Sequence, residues 1–248
     1  IFISRQGLEV SLAGLLRQGT CDLLPVSILL GAIRRDKAAI FAKLEALDLT
    51  LHRVTTPEQV LVPKSAIGYR VATNLNPIDF LLYTGLVYDY AEQIETFRAD
   101  DSSVYSARFA ADVDDRFLLD NWEGYRASSL ALASDDTCRY VLSLDFVDCY
   151  NQISTHRVQN ALLEAGVSRD VVDCIENQFL IPFNLRASRG IPVGQDAGRL
   201  LAESALAMVD QWLLARNFDY VRFVDDIRVF LSDWAAVQKF SADFHLLI

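Results

Sequence analysis

Four adjacent acid pairs punctuate the 248-residue sequence: Asp100-Asp101, Asp114-Asp115, Asp135-Asp136 and Asp225-Asp226. The first three lie in polar or mixed surroundings and read as solvated loops. The fourth separates two β-rich apolar runs, Val221 to Val224 and Ile227 to Leu231, and two residues are the length of a tight hairpin turn. Neighbouring carboxylates at the tip of an apolar hairpin repel each other and are partly desolvated, a cost that a cation relieves. Magnesium suits the position, because it takes a few carboxylate oxygens and completes its shell with substrate phosphates. Two-metal phosphoryl transfer needs a third acid from another strand. Asp145, near the end of the strand candidate Arg139 to Phe146, can supply it. Asp is also an ordinary turn residue, so the pair by itself leaves a purely structural turn open.

The elements that must hold these acids are legible from about Gln59 onward. Val60 to Val62 and Ile67 to Val71 read as short strands around Pro63-Lys64-Ser65, and Asn76-Pro77 supplies an N-cap and a first-turn proline for the helix that follows. After the Asp145 strand, Thr155 is expected to cap a helix that runs to about Ala165 and stops at Gly166. Ser168 opens a second helix to about Leu180. A glycine loop, Ile191-Pro192-Val193-Gly194, precedes a long helix from about Asp196 to Arg216, and Ser232 or Asp233 caps a last one. The first 60 residues read as short helices, among them Asp36 to Leu47 with apolar residues at helical spacing. Strands on one side and helices on the other predict an α+β fold.

Composition narrows the class further. A hydrophobic content of 52% with 23% charged residues is that of a globular chain able to bury a core. The longest apolar stretch, Leu23 to Ile33, is interrupted by Pro25 and Gly31 and is shorter than the roughly 20 residues of a membrane span. Cys21, Cys138, Cys149 and Cys174 form no CxxC pair, which suggests neither a zinc site nor a disulfide framework and fits a reducing cytoplasm. The net charge of -10 argues mildly against a chain coated in nucleic acid, but leaves room for a locally basic groove. Beginning at Ile1 and stopping within an apolar run at Ile248, the chain reads as a segment of something longer.

From about Lys64 to Leu231 the chain resembles the reverse transcriptase family. Phe223-Val224-Asp225-Asp226 looks like that family's Tyr-x-Asp-Asp motif, with Phe for Tyr, and Leu144-Asp145-Phe146-Val147-Asp148-Cys149-Tyr150 looks like the motif carrying its first metal-binding acid. Arg189-Gly190-Ile191-Pro192-Val193-Gly194 is similar to its glycine-proline loop. The resemblance implies a right-hand polymerase with an N-terminal helical extension over 1–58, fingers over 59–138 and a palm over 139–248, the thumb lying outside this chain. Two Mg2+ ions would be held by Asp145, Asp225 and Asp226 with the Phe146 carbonyl. Tyr150 would sit beneath the sugar and exclude a ribose 2′-hydroxyl, a packed core aromatic being the alternative. Asp148 and Cys149 would offer backbone NH groups to the triphosphate, and Lys64 and Arg70 would clamp its outer phosphates unless they are merely solvated strand cations. Val193 and Gly194 would border the incoming nucleotide; the family's usual Gln is replaced by Val193, so its side-chain contact is lost.

Other details are similar to the bacterial abortive-infection and defence-associated members: Tyr150 through Ile153-Ser154-Thr155-His156, Gly194-Gln195-Asp196-Ala197-Gly198-Arg199 through Glu203, Val221-Arg222-Phe223, and Val104 through Phe109. That branch implies antiphage DNA synthesis from deoxynucleoside triphosphates on an RNA or DNA strand, copying a noncoding RNA or no template, and priming in some cases from a protein hydroxyl. Oligomeric state is left open. Two readings compete with it. One is a noncatalytic scaffold of the same fold binding RNA or partner proteins; the other is a two-metal nuclease, which has no clear use for Tyr150 or the cations of the fingers.

Overall fold

The structure is a computed structural model that describes residues 1–26, 30–64, 66–113, 116–185 and 187–245. Asp114-Asp115 and Ser65 lie outside the described residues. The N-terminal part comprises helices α1 (Arg5–Gln18), α2 (Leu30–Arg35) and α3 (Lys37–Glu45), then a hairpin of β1 (Glu58–Pro63) and β2 (Tyr69–Asn74), then α4 (Pro77–Asp89) and α5 (Ala91–Phe97). A second hairpin, β3 (Arg108–Val113) and β4 (Arg116–Leu119), leads to α6 (Trp122–Ala133). The remainder runs β5 (Tyr140–Leu144), α7 (Cys149–Gln152), α8 (Thr155–Glu164), α9 (Arg169–Cys174), a π-helical stretch Ile175–Leu180, α10 (Ile181–Phe183), α11 (Asp196–Ala215), β6 (Asp219–Phe223), β7 (Asp226–Leu231) and α12 (Trp234–His245). The fold is α+β. Among the described residues no helix is long and apolar enough to cross a membrane, and the four cysteines are free.

Local signals explain several boundaries. Asn76 caps α4 through its side chain, which accepts from the Ile78 amide at 2.9 Å, while Pro77 fills a first-turn position where no amide is needed. Asp233, not Ser232, starts α12 by accepting from Ala236 N at 2.8 Å. The cap of α8 is Ser154, which accepts from Arg157 N, and not Thr155. Thr155 is buried and its amide donates to the Ser188 carbonyl, so it is already engaged. The helix expected from Ser168 to Leu180 is α-helical only to Cys174 and widens to π geometry beyond it.

β5, β7 and β6 form a three-stranded antiparallel sheet in that order. Alternation splits its residues cleanly. Leu142, Leu144, Tyr220, Ile227, Val229 and Leu231 face a back core with Val209 and Leu213 of α11 and Val237, Phe240 and Phe244 of α12. Val221, Phe223 and Phe230 face the front, where Tyr125 of α6 packs on them. Helices therefore touch both faces, not one, because α6 covers part of the front. A larger core joins α1, α4, α8, α9 and the first half of α11.

Candidate functional site

The sheet places the acids. Phe223 pairs with Asp226, so the two-residue turn is Val224-Asp225, one residue earlier than the sequence pattern suggests. Val224 takes φ 55°, an unfavourable region for a β-branched residue that costs on the order of 1–3 kcal/mol. The β5–β7 register ends at Leu144 opposite Ile227, and one further step brings Asp145 opposite Asp226 on the front of the sheet. Asp225, at the turn, lines the same cleft as both.

That cleft has a volume of about 420 Å³. Every residue singled out from the sequence lines it: Asp145, Phe146, Asp148, Cys149, Tyr150, Val193, Gly194, Asp225 and Asp226 from the C-terminal half, and Lys64 and Arg70 from the β1–β2 hairpin. Cations and carboxylates therefore line one cavity. Burial, and after it the negative charges of Asp145 and Asp226, raise the Asp225 carboxyl above its ordinary value, while Lys64 acts in the opposite direction. Cys149 is buried and its thiol is pushed up to about 12, first by burial and then by Asp225, so it stays protonated. Tyr150 is half-buried in the cleft lining with its phenol raised, chiefly by burial. Asp148 takes φ 52° just ahead of α7.

Hydrogen bonds fasten the walls together. The Ile191 amide donates to the Tyr150 carbonyl at 2.9 Å and the Gly190 amide to the Ile153 carbonyl at 2.8 Å, tying the glycine loop to the α7 turn. On its other side the Thr73 amide donates to the Val193 carbonyl at 3.1 Å, and buried Gln195 donates to the carbonyls of Thr73 at 2.7 Å and Thr20 at 2.8 Å. These bonds hold the base of the β1–β2 hairpin against the loop, and Lys64 and Arg70 line the same cleft as the acids. Gly194 has φ 111°, and a Cβ there would overlap Cys21 Sγ. Only glycine fits the turn and the close approach together.

Three further cleft residues carried no sequence signal of a role. Asp22 belongs to the segment after α1, whose amide donates to the Gly194 carbonyl at 2.9 Å. Trp122 packs edge-on against Phe223 with ring centroids 4.9 Å apart. Arg199 grips Asp120 through both carboxylate oxygens at 2.7 and 2.6 Å; burial works against its charge, but Asp120 outweighs it and the guanidinium stays charged. Arg199 lies in the stretch 194–203 that resembles the defence-associated enzymes, but only the fold shows that it lines the cleft.

The donor set is hard carboxylate oxygen, and the raised Asp225 carboxyl marks a place where a cation would relieve like-charge repulsion. Among the described residues no three His, Cys, Asp or Glu side chains converge on one ion-sized point. Asp145, Asp225 and Asp226 line one cleft, and carboxylate oxygen is the donor type that a divalent hard cation takes. The chain matches no protein-family model and no curated protein.

Proposed function

We propose that the chain carries the nucleotidyl-transfer site of a reverse-transcriptase-like DNA polymerase, with fingers and palm around the 420 Å³ cleft. One observation carries the reading: residues from four distant places in the chain, Lys64 with Arg70, Asp145 with Tyr150, Val193 with Gly194, and Asp225 with Asp226, line a single cleft that holds both cations and acids. That charge pattern matches a metal-bound triphosphate, whose outer phosphates need positive groups and whose reacting phosphate needs metal held by carboxylates.

In this reading Asp145, Asp225 and Asp226, with the Phe146 carbonyl, hold two Mg2+ ions. When bound, the ions lower the pKa of the attacking 3′-hydroxyl and neutralise charge on the leaving pyrophosphate. Lys64 and Arg70, neither paired with a carboxylate among the described residues, orient the outer phosphates. Tyr150 stands where the sugar would lie and selects deoxyribose by volume. Val193 offers the base an apolar contact only. The role we infer is synthesis in bacterial antiphage defence, in the cytoplasm, with a noncoding RNA, another strand or a protein hydroxyl as template or primer.

Primer extension by the full protein with magnesium and deoxynucleoside triphosphates tests the reading. Asp225→Ala should abolish synthesis; synthesis at the parent's rate would reject the assignment. A noncatalytic scaffold is the second reading, favoured by Val193, the net charge of -10 and the absence, among the described residues, of three acid side chains grouped to hold an ion. Calorimetry that finds neither magnesium nor nucleotide binding would select it.

A further inference from the structure

The turn that presents Asp225 is wired into the protein interior at Val224. Its amide donates to Ser106 Oγ at 2.8 Å, and its carbonyl accepts from Arg222 Nη1 at 2.8 Å. The two partners meet on one carboxylate. Ser106 Oγ donates to Glu203 Oε1 at 2.6 Å, and Arg222 Nη1 lies 2.9 Å from Glu203 Oε2. A closed circuit therefore runs from the Val224 amide through Ser106, Glu203 and Arg222 back to the Val224 carbonyl. Ser106, Glu203 and Arg222 are all buried, with at most 1% of each exposed.

The circuit is anchored on both sides. Arg222 also grips Asp210, with Nε to Oδ1 at 2.9 Å and Nη2 to Oδ2 at 2.6 Å. Glu203 and Asp210 are seven residues apart on α11 and face the same way. Glu203 accepts from Arg98 Nη2 at 2.9 Å as well. Burial alone would neutralise Glu203, yet Arg222 and Arg98 more than offset it and hold the carboxyl below its ordinary value. Ser106 arrives on a segment that runs beside β6: the Arg222 amide donates to the Ser103 carbonyl at 2.8 Å and the Tyr105 amide to the Arg222 carbonyl at 3.0 Å.

A two-residue hairpin turn ordinarily leaves the peptide groups of its tip to water. Here both polar groups of the strained residue are spent on interior side chains, and the next residue is the acid. We infer that Ser106 and Arg222, seated on Glu203, are positioning residues that fix the Val224 peptide and so aim the Asp225 carboxylate into the cleft. The inference rests on reading Asp145, Asp225 and Asp226 as metal-binding.

The test measures hydrogen exchange of the 219–231 hairpin, magnesium binding by calorimetry and thermal unfolding on the full protein. Ser106→Ala should keep a cooperative transition, lose roughly tenfold in protection at the turn and bind Mg2+ roughly tenfold more weakly, the worth of one ordinary hydrogen bond. Asp225→Asn should lose Mg2+ binding and keep the parent's protection at the turn. Glu203→Gln, which retains shape but breaks the ionic seat of Arg222, should repeat the Ser106→Ala pattern, and it decides the matter if Ser106→Ala does not fold. Parental protection and parental Mg2+ affinity in these two variants would overturn the positioning role and leave the metal reading standing. Equal Mg2+ affinity in the parent and Asp225→Asn would remove the metal reading, and the positioning role with it.

Discussion

Replacing Arg222 by leucine tests how far the buried ionic cluster stabilises the fold. The guanidinium is fully buried and satisfies three partners at once: Asp210 twice, Glu203, and the Val224 carbonyl. Leucine removes all of these and leaves the buried Asp210 carboxylate without its cation, beside the neutral Tyr220 hydroxyl. Breaking a buried pair from one side costs about 3–5 kcal/mol, because an uncompensated charge remains. For a chain of this size each kcal/mol lowers Tm by roughly 2–4 °C, so Arg222→Leu should melt roughly 6–20 °C below the parent. The double variant Arg222→Leu/Asp210→Leu removes the stranded charge and should recover about 1 kcal/mol or more, a coupling readable from urea or thermal unfolding of the four proteins. A single variant within about 1 kcal/mol of the parent would refute the reasoning, since the charge would then be hydrated in place.

Asp225→Asn should stabilise the protein at neutral pH in the presence of a chelator. The Asp225 carboxyl is raised by burial and by its acidic neighbours, so its contribution to stability is present below the ordinary carboxylate value and lost as pH rises through the raised one. The gain in Tm from the amide should vanish at acid pH, and a variant that melts below the parent at pH 7 without metal would contradict the electrostatics. Gly194→Ala should cost about 2–4 kcal/mol, from a side chain at φ 111° and from overlap with Cys21 Sγ. Adding Cys21→Ala should return the steric part and not the backbone part; full recovery in urea unfolding would show that the φ penalty is absent.

The positions of the three acids and several caps were legible because their signals are local. Asn76-Pro77 announces α4 through bonds that span a few residues, and the apolar alternation around 221–231 specifies which side chains share a face. The turn itself moved by one residue, to Val224-Asp225, because the pairing of Phe223 with Asp226 is settled across two strands and by the two interior hydrogen bonds at Val224. Composition could not reveal that.

By itself the sequence determined the α+β class, the acid pair at a hairpin and the glycine loop before a long helix, each written in neighbouring residues through backbone preference and side-chain period. Only the tertiary structure decided that Lys64 and Arg70 line one cleft with Asp225, that Trp122 and Arg199 join them, and that Arg222 lies fully buried. In the sequence Arg222 is an ordinary strand cation. Its burial follows from Glu203 and Asp210 on another element, and partners that far apart along the chain are chosen by packing and charge compensation in three dimensions.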